Sequence, residues 1–227
     1  MLFEAAPYVT LANTPDEPSV FEIEEKKSRF IGRACHVENE EQAREFVARV
    51  RALEHGARHN VFAFLACGGP ANAGTVPVER QSDDGEPQKT AGLPVLEVIR
   101  GAELKDVAVV VTRYFGGTLL GAGGLVRAYA HSAKLGLDAA GRSIKQVWTR
   151  VLLPCPYSWY ERIKLEIPAF GGVIDQTDFG AEVTLELLLP KKQAEPFLSR
   201  IFDLSSGTIE GLPGEDEYRA FPVGQET

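Results

Sequence analysis

Apolar positions along this 227-residue chain fall into two rhythms that change over near Gly141-Arg-Ser143. In the first, Ser19 to Glu25 and Arg29 to Val37 read as strands around the polar turn Lys26-Lys-Ser28. Asn39 then caps a helix running to about His55, because Ala43, Phe46, Val47, Val50 and Leu53 recur on one helical face. His59 to Cys67 reads as a strand, Gly68 to Gly74 as a loop and Val76 to Ser82 as a further short strand. The segment from Asp83 to Gly92 is polar, turn-rich and without periodicity, which places it on a surface loop. A short helix from about Ala91 to Arg100 leads to the apolar run Val107 to Val111, a buried strand ending at Thr112. A long helix follows to about Ala140, lined with the small residues Ala122, Ala128, Ala133, Gly136 and Ala140 that permit close packing on a sheet.

The second rhythm gives strands near Lys145 to Leu153, Val173 to Gln176, Glu182 to Leu189 and Thr208 to Leu212, with helices near Tyr157 to Ile167 and Lys191 to Leu204. This order, β-α-β-β-α-β, is the ferredoxin-like pattern. The expected organisation is therefore α+β in two domains, residues 1–141 and 142–227.

Hydrophobic residues at 44% and charged residues at 25% describe an ordinary globular chain. A formal net charge of −8 means that the chain as a whole is not drawn to nucleic acid or anionic membranes, so any such binding must come from a local patch. Cys35, Cys67 and Cys155 are odd in number and widely spaced, which suggests neither a disulfide framework nor a zinc site. No apolar run approaches the roughly 20 residues that span a bilayer, and Met1 to Tyr8 lacks a secretory pattern. A cytoplasmic location without membrane contact is expected.

The stretch from Arg113 to Tyr129 carries Gly116, Gly117, Gly121, Gly123 and Gly124 between the buried strand and the long helix. Bare backbone N–H groups and a helix N-terminus at a sheet edge favour an anion such as phosphate. The glycines fit neither a P-loop nor a dinucleotide fingerprint, since Ala122-Gly123 stands where the first needs Lys-Ser/Thr and Val126 where the second needs its third small residue. Tight packing of the turn is the competing reading. Arg113 can form a bidentate contact with phosphate, or a salt bridge to the acidic loop. Arg127, His131, Lys134 and Asp138 share one polar helical face, of which only Arg127 lies in the first turn. Asp83, Asp84 and Glu86 can supply oxygen ligands for Mg²⁺ or an acid-base group, or simply form a solvated turn with Arg80 and Lys89 as ion partners. Cys35 and His36 point to opposite faces of a strand and cannot form a dyad. His59, within Arg58-His59-Asn60, reads as a structural residue or a base.

Taken together, Lys27-Ser-Arg-Phe-Ile-Gly32, Arg58-His59-Asn60, Ser82-Asp-Asp-Gly-Glu-Pro87, Thr90-Ala-Gly-Leu-Pro94 and Arg113-Tyr-Phe-Gly-Gly117 through Gly121 to Tyr129 resemble the IMPACT/YigZ family. The resemblance covers most of residues 18–140, and the second rhythm looks like the smaller domain of the bacterial members. It implies a first domain similar to a fold shared by a ribosomal protein domain and GHMP-type kinases. It implies a second domain similar to the last domain of elongation factor G. Where the family usually has Ser-Gly, this chain has Gln88-Lys89. The eukaryotic branch restrains a stress kinase and carries an extra N-terminal partner-binding domain, which is not expected here.

The resulting expectation is a non-catalytic, translation-associated regulator that binds RNA, the ribosome or a ribosome-associated factor in a cleft between the glycine loop and the acidic loop. Arg113, Lys89, Arg127, Arg58 and His59 would contact phosphate, with Tyr114 and the five glycines shaping the wall. The alternative is an enzyme on a nucleotide or small phosphorylated metabolite, with Mg²⁺ held by Asp83, Asp84 or Glu86. A third reading is a protein-interaction module without phosphate. Apart from Mg²⁺ in the enzyme reading, no cofactor is expected.

Overall fold

The computed structural model describes residues 6–68 and 77–222. Two compact units emerge, one built on Ala5–Lys145 and the other on Gln146–Arg219. The first holds an antiparallel sheet of five strands: β2 (Ser19–Glu25), β3 (Ser28–His36), β4 (His59–Ala66), β5 (Val78–Ser82) and β6 (Val107–Tyr114), in the order β2-β3-β6-β4-β5. Helices α1 (Glu40–Leu53), α2 (Gly92–Gly101) and α3 (Ala122–Ala140) cover it. The expected loop at Gly68 to Gly74, beyond Gly68, and the first residue of the expected Val76 strand lie outside the described residues.

β6 shows why its sequence is apolar without alternation. Val107, Val109 and Val111 pack with Val95 and Ile99 of α2 and with Tyr129 and Ala133 of α3. Ala108 and Val110 point the other way, into a cluster with Phe46, Val47 and Val50 of α1. A central strand with helices on both faces has no wet side, and each fully buried valine contributes roughly 1.5–3 kcal/mol. The small-residue lining of α3 has its counterpart in β3, where a Cβ on Gly32 would stand 2.6 Å from the Ser132 carbonyl oxygen. The side chain of Asn39 accepts a hydrogen bond from Gln42 N at 2.9 Å, so α1 starts where its cap predicts.

Pairing adds a strand that the sequence pattern does not announce. β1 (Tyr8–Leu11) runs antiparallel to the start of β7 (Arg142–Cys155), with Tyr8 opposite Lys145. Its anchor is a buried polar cluster: Tyr8 donates to the Asp106 carboxylate, and Lys145 pairs with Glu38 and lies 3.7 Å from Asp106.

In the second unit, β7, α4 (Tyr157–Glu166), β8 (Val173–Phe179), β9 (Val183–Pro190), α5 (Lys191–Leu204) and β10 (Leu212–Pro222) follow the expected order. The sheet runs β8-β9-β7-β10, the ferredoxin-like arrangement, over a core that includes Val151, Leu153, Leu185, Leu187, Phe197 and Ile201. The last strand departs from expectation. It begins at Leu212, where the Thr208 to Leu212 reading ends, and residues 208–211 are connection. Trp148 Nε1 donates to the Arg219 carbonyl at 3.1 Å and Thr149 Oγ1 to Asp216 at 2.7 Å, and these contacts hold the later, more polar segment against β7. No described helix is long and apolar enough to cross a membrane.

Candidate functional site

Strand register places Phe30, Arg113 and His59 side by side on β3, β6 and β4, at the end of the sheet where the glycine loop leaves. Arg113 donates to Glu86 Oε1 at 2.7 Å and to Ser28 Oγ at 3.3 Å, and its guanidinium sits 5.4 Å from the Phe30 ring and 5.5 Å from the Phe115 ring. Tyr129 of α3 donates to the same Glu86 oxygen at 2.8 Å, and burial together with that carboxylate pushes its phenol well above the usual range. The Arg113 and Glu86 side chains are only 6% and 4% exposed. Of the two roles open to Arg113, the geometry shows the salt bridge to the acidic loop. Arg113 Nε is buried without a hydrogen-bond partner among the described residues.

The other two carboxylates of the acidic loop are also engaged. Asp83 accepts from the backbone N–H groups of Lys89, Ala91 and Gly92 at 2.8, 3.0 and 2.8 Å and so caps α2. Asp84 pairs with Arg51 of α1 at 2.7 Å and accepts from Asn60 N at 2.7 Å. Its carbonyl meets His59 Nδ1 at 2.9 Å, and because a carbonyl can only accept, that nitrogen carries the proton. Among the described residues no group of three or more His, Cys, Asp or Glu is placed to hold a metal ion. Arg80 pairs with Glu40 at 3.6 Å, whereas Lys89 forms no ion pair among the described residues.

The glycine loop leans on the β2–β3 turn. Gly116 N donates to Ser28 Oγ at 3.2 Å, and a Cβ on Gly116 would lie 1.8 Å from the Lys27 carbonyl oxygen, so only glycine fits. Gly117, Gly121 and Gly123 are exposed, and Gly121 caps α3 without a side-chain hydrogen bond or an acidic residue in the first turn. Gly124 allows close contact with Leu120. On the opposite face of β6, Tyr114 donates to Glu54 at 2.6 Å and its ring lies 4.7 Å from the Arg29 guanidinium. Burial pushes the Glu54 carboxyl up, but hydrogen bonds from Tyr114 and Arg33 outweigh it and hold the group below its usual range.

Five cations face solvent around this end. Lys26, Lys27, Arg58, Lys89 and Arg127 are exposed and form no ion pair among the described residues. Lys26 and Lys27 make the two-residue turn between β2 and β3, Arg58 precedes β4, Lys89 closes the acidic loop, and Arg127 lies early in α3. Glu24 and Glu25 on β2 are the exposed carboxylates nearest in sequence to that turn. Lys26, Lys27 and Lys89 have φ of 47°, 66° and 62°, the left-handed region that favours Gly or Asn. Sequence reading passed over Lys26, Lys27 and Phe115, although Lys26-Lys-Ser28 signalled the turn. The rest of the α3 stripe is solvated surface, with Lys134 bound to Asp138 at 2.7 Å. Cys35 is buried among the residues facing α1, where burial pushes its thiol up, and His36 contacts Thr10 and Glu38.

Comparison with known proteins matches residues 26–137 to the Impact N-terminal domain and residues 153–208 to a domain of unknown function, DUF1949. The chain is 33% identical over 205 residues to IMPACT family member YvyE of Bacillus subtilis, covering 90% of this chain and 92% of that one. It is 36% identical over 202 residues to IMPACT family member YigZ of Escherichia coli, covering 89% and 97%. A crystal structure of a hypothetical protein superposes with a TM-score of 0.56 at 34% identity, over 93% of this chain and 98% of the other.

Proposed function

The chain belongs to the IMPACT family, and from that membership we propose that it is a translation-associated regulator that binds RNA, free or within the ribosome, at the glycine-loop end of its first unit. The carrying observation is a set of five exposed cations at this end, without ion partners among the described residues, in a chain of net charge −8. Three of them, Lys26, Lys27 and Lys89, occupy backbone conformations that cost a non-glycine residue roughly 1–2 kcal/mol. Local strain kept for the sake of a side chain is characteristic of working surfaces. In this reading Lys26, Lys27, Arg58, Lys89 and Arg127 contact phosphates, and the exposed N-terminus of α3 adds a favourable dipole.

Arg113, Asp83, Asp84 and Glu86 have a different part. They clamp the acidic loop to the sheet and so hold Lys89 and Arg58 in place. A nucleotide enzyme using these carboxylates for Mg²⁺ would first have to break the α2 cap, the Arg51 pair or the Arg113 pair. Two measurements test the reading: filter binding of RNA with co-sedimentation on ribosomes, and a thermal-shift screen of nucleotides with and without Mg²⁺. RNA or ribosome binding that weakens with salt, without a nucleotide shift, supports it. A nucleotide at 100 times its dissociation constant would add about 2.7 kcal/mol, and such a shift without RNA binding would overturn it.

A further inference from the structure

The cations of this end are interleaved with apolar side chains that the fold does not bury. Phe115 is 48% exposed, Leu119 82% and Val126 37%, all on the segment from the end of β6 into the first turns of α3. Phe115 lies two residues beyond Arg113, whose guanidinium is 5.5 Å from its ring centroid and is itself fixed by Glu86 and Ser28. The following residue is tied down by the Gly116 to Ser28 hydrogen bond. The ring thus rests against a buried, hydrogen-bonded cation, with about half of the residue's surface open to solvent.

We infer that the site takes single-stranded RNA, with an unpaired base stacked on Phe115 while adjacent phosphates lie on Lys27, Lys89 and Arg127. This rests on the RNA reading above and adds to it the form of RNA recognised. A duplex offers phosphates but keeps its base faces stacked internally, so it can use the cations and leaves Phe115 and Leu119 without a partner. A single strand supplies both a charged backbone and free π faces, the pairing that cationic grooves with aromatic platforms select. The Arg113 guanidinium against Phe115 adds a cation–π contact beneath the platform.

The test is fluorescence anisotropy with a labelled RNA of about 12 nucleotides, alone and annealed to its complement. Wild-type protein should bind the single strand more tightly than the duplex. Phe115→Ala should weaken single-strand binding roughly 5- to 150-fold, leave duplex binding unchanged and keep the salt dependence. Phe115→Leu preserves an apolar side chain of similar bulk and should lose nearly as much, whereas Phe115→Trp should restore binding. Lys27→Ala should weaken both RNAs and flatten the single-strand salt slope by about 0.7. If the duplex binds as well as the single strand, or Phe115→Ala has no effect while Lys27→Ala does, the stacking inference is overturned and the RNA reading stands. If neither RNA binds the wild-type protein, both fail.

Discussion

Arg113 and Glu86, 27 residues apart in the chain, meet at 2.7 Å with their side chains almost wholly removed from solvent. Tyr129 closes the same carboxylate oxygen from α3, so one buried acid joins the sheet, the acidic loop and a helix. Breaking one side of such a pair strands the other charge. Glu86→Gln should therefore cost about 3 kcal/mol in urea unfolding, while an apolar double replacement, Arg113→Met with Glu86→Leu, should cost less than the sum of the two single changes. Additive losses would mean that the contact contributes no coupling.

Gly116 and Gly123 look alike in sequence and differ in what surrounds them. A methyl group on Gly116 would collide with the backbone at Lys27 and Ser28, whereas on Gly123 its nearest neighbour would be the far end of the long Arg127 side chain at 3.7 Å. Gly116→Ala should destabilise by roughly 1–3 kcal/mol. Gly123→Ala should be neutral or stabilising by up to about 1 kcal/mol, because it removes backbone freedom from the unfolded chain. Thermal unfolding of the two variants side by side checks the contrast.

Glu54 makes stability depend on acid. Its carboxyl is held below the usual 4.5 by Tyr114 and Arg33 against the opposing effect of burial. A carboxylate with a lowered folded-state pKa contributes stability above its unfolded value and loses it as pH falls through the folded one. At pH 7 Glu54→Gln should be less stable than wild type by roughly 1–3 kcal/mol. That gap should narrow steadily below about pH 4.5 in urea titrations. A gap that stays constant down to acid pH would show that the ionised form is not what matters.

The parts of the fold that were legible in sequence are those whose burial is written locally. The valine run of β6, the α1 face from Ala43 to Val50 and the β-α-β-β-α-β order all declare themselves through period alone. β1 did not, because its four residues are stabilised by pairing with a segment near residue 145 and by the Tyr8–Asp106 contact, neither of which leaves a local trace. β10 was misplaced because Pro213-Gly-Glu-Asp-Glu217 carries turn chemistry, while its strand conformation depends on partners in β7. At the site the residue types were legible and their directions were not. Arg113 alone can serve a phosphate or a carboxylate, and tertiary packing with Glu86 decides it. Lys26 and Lys27 became candidates only once Gly116 was seen packed against their turn.

The most direct measurement is the salt dependence of RNA affinity for wild type and for the variant carrying Lys26→Asn, Lys27→Gly and Lys89→Gly. These substitutions give three left-handed positions the residues they favour, so the variant should melt at or above the wild-type temperature. Its affinity for single-stranded RNA should nevertheless fall, with a log–log salt slope flatter by about 2 than the wild type's. A stable variant that binds RNA with unchanged affinity and slope would contradict the account, and so would wild-type protein that binds no RNA at low salt.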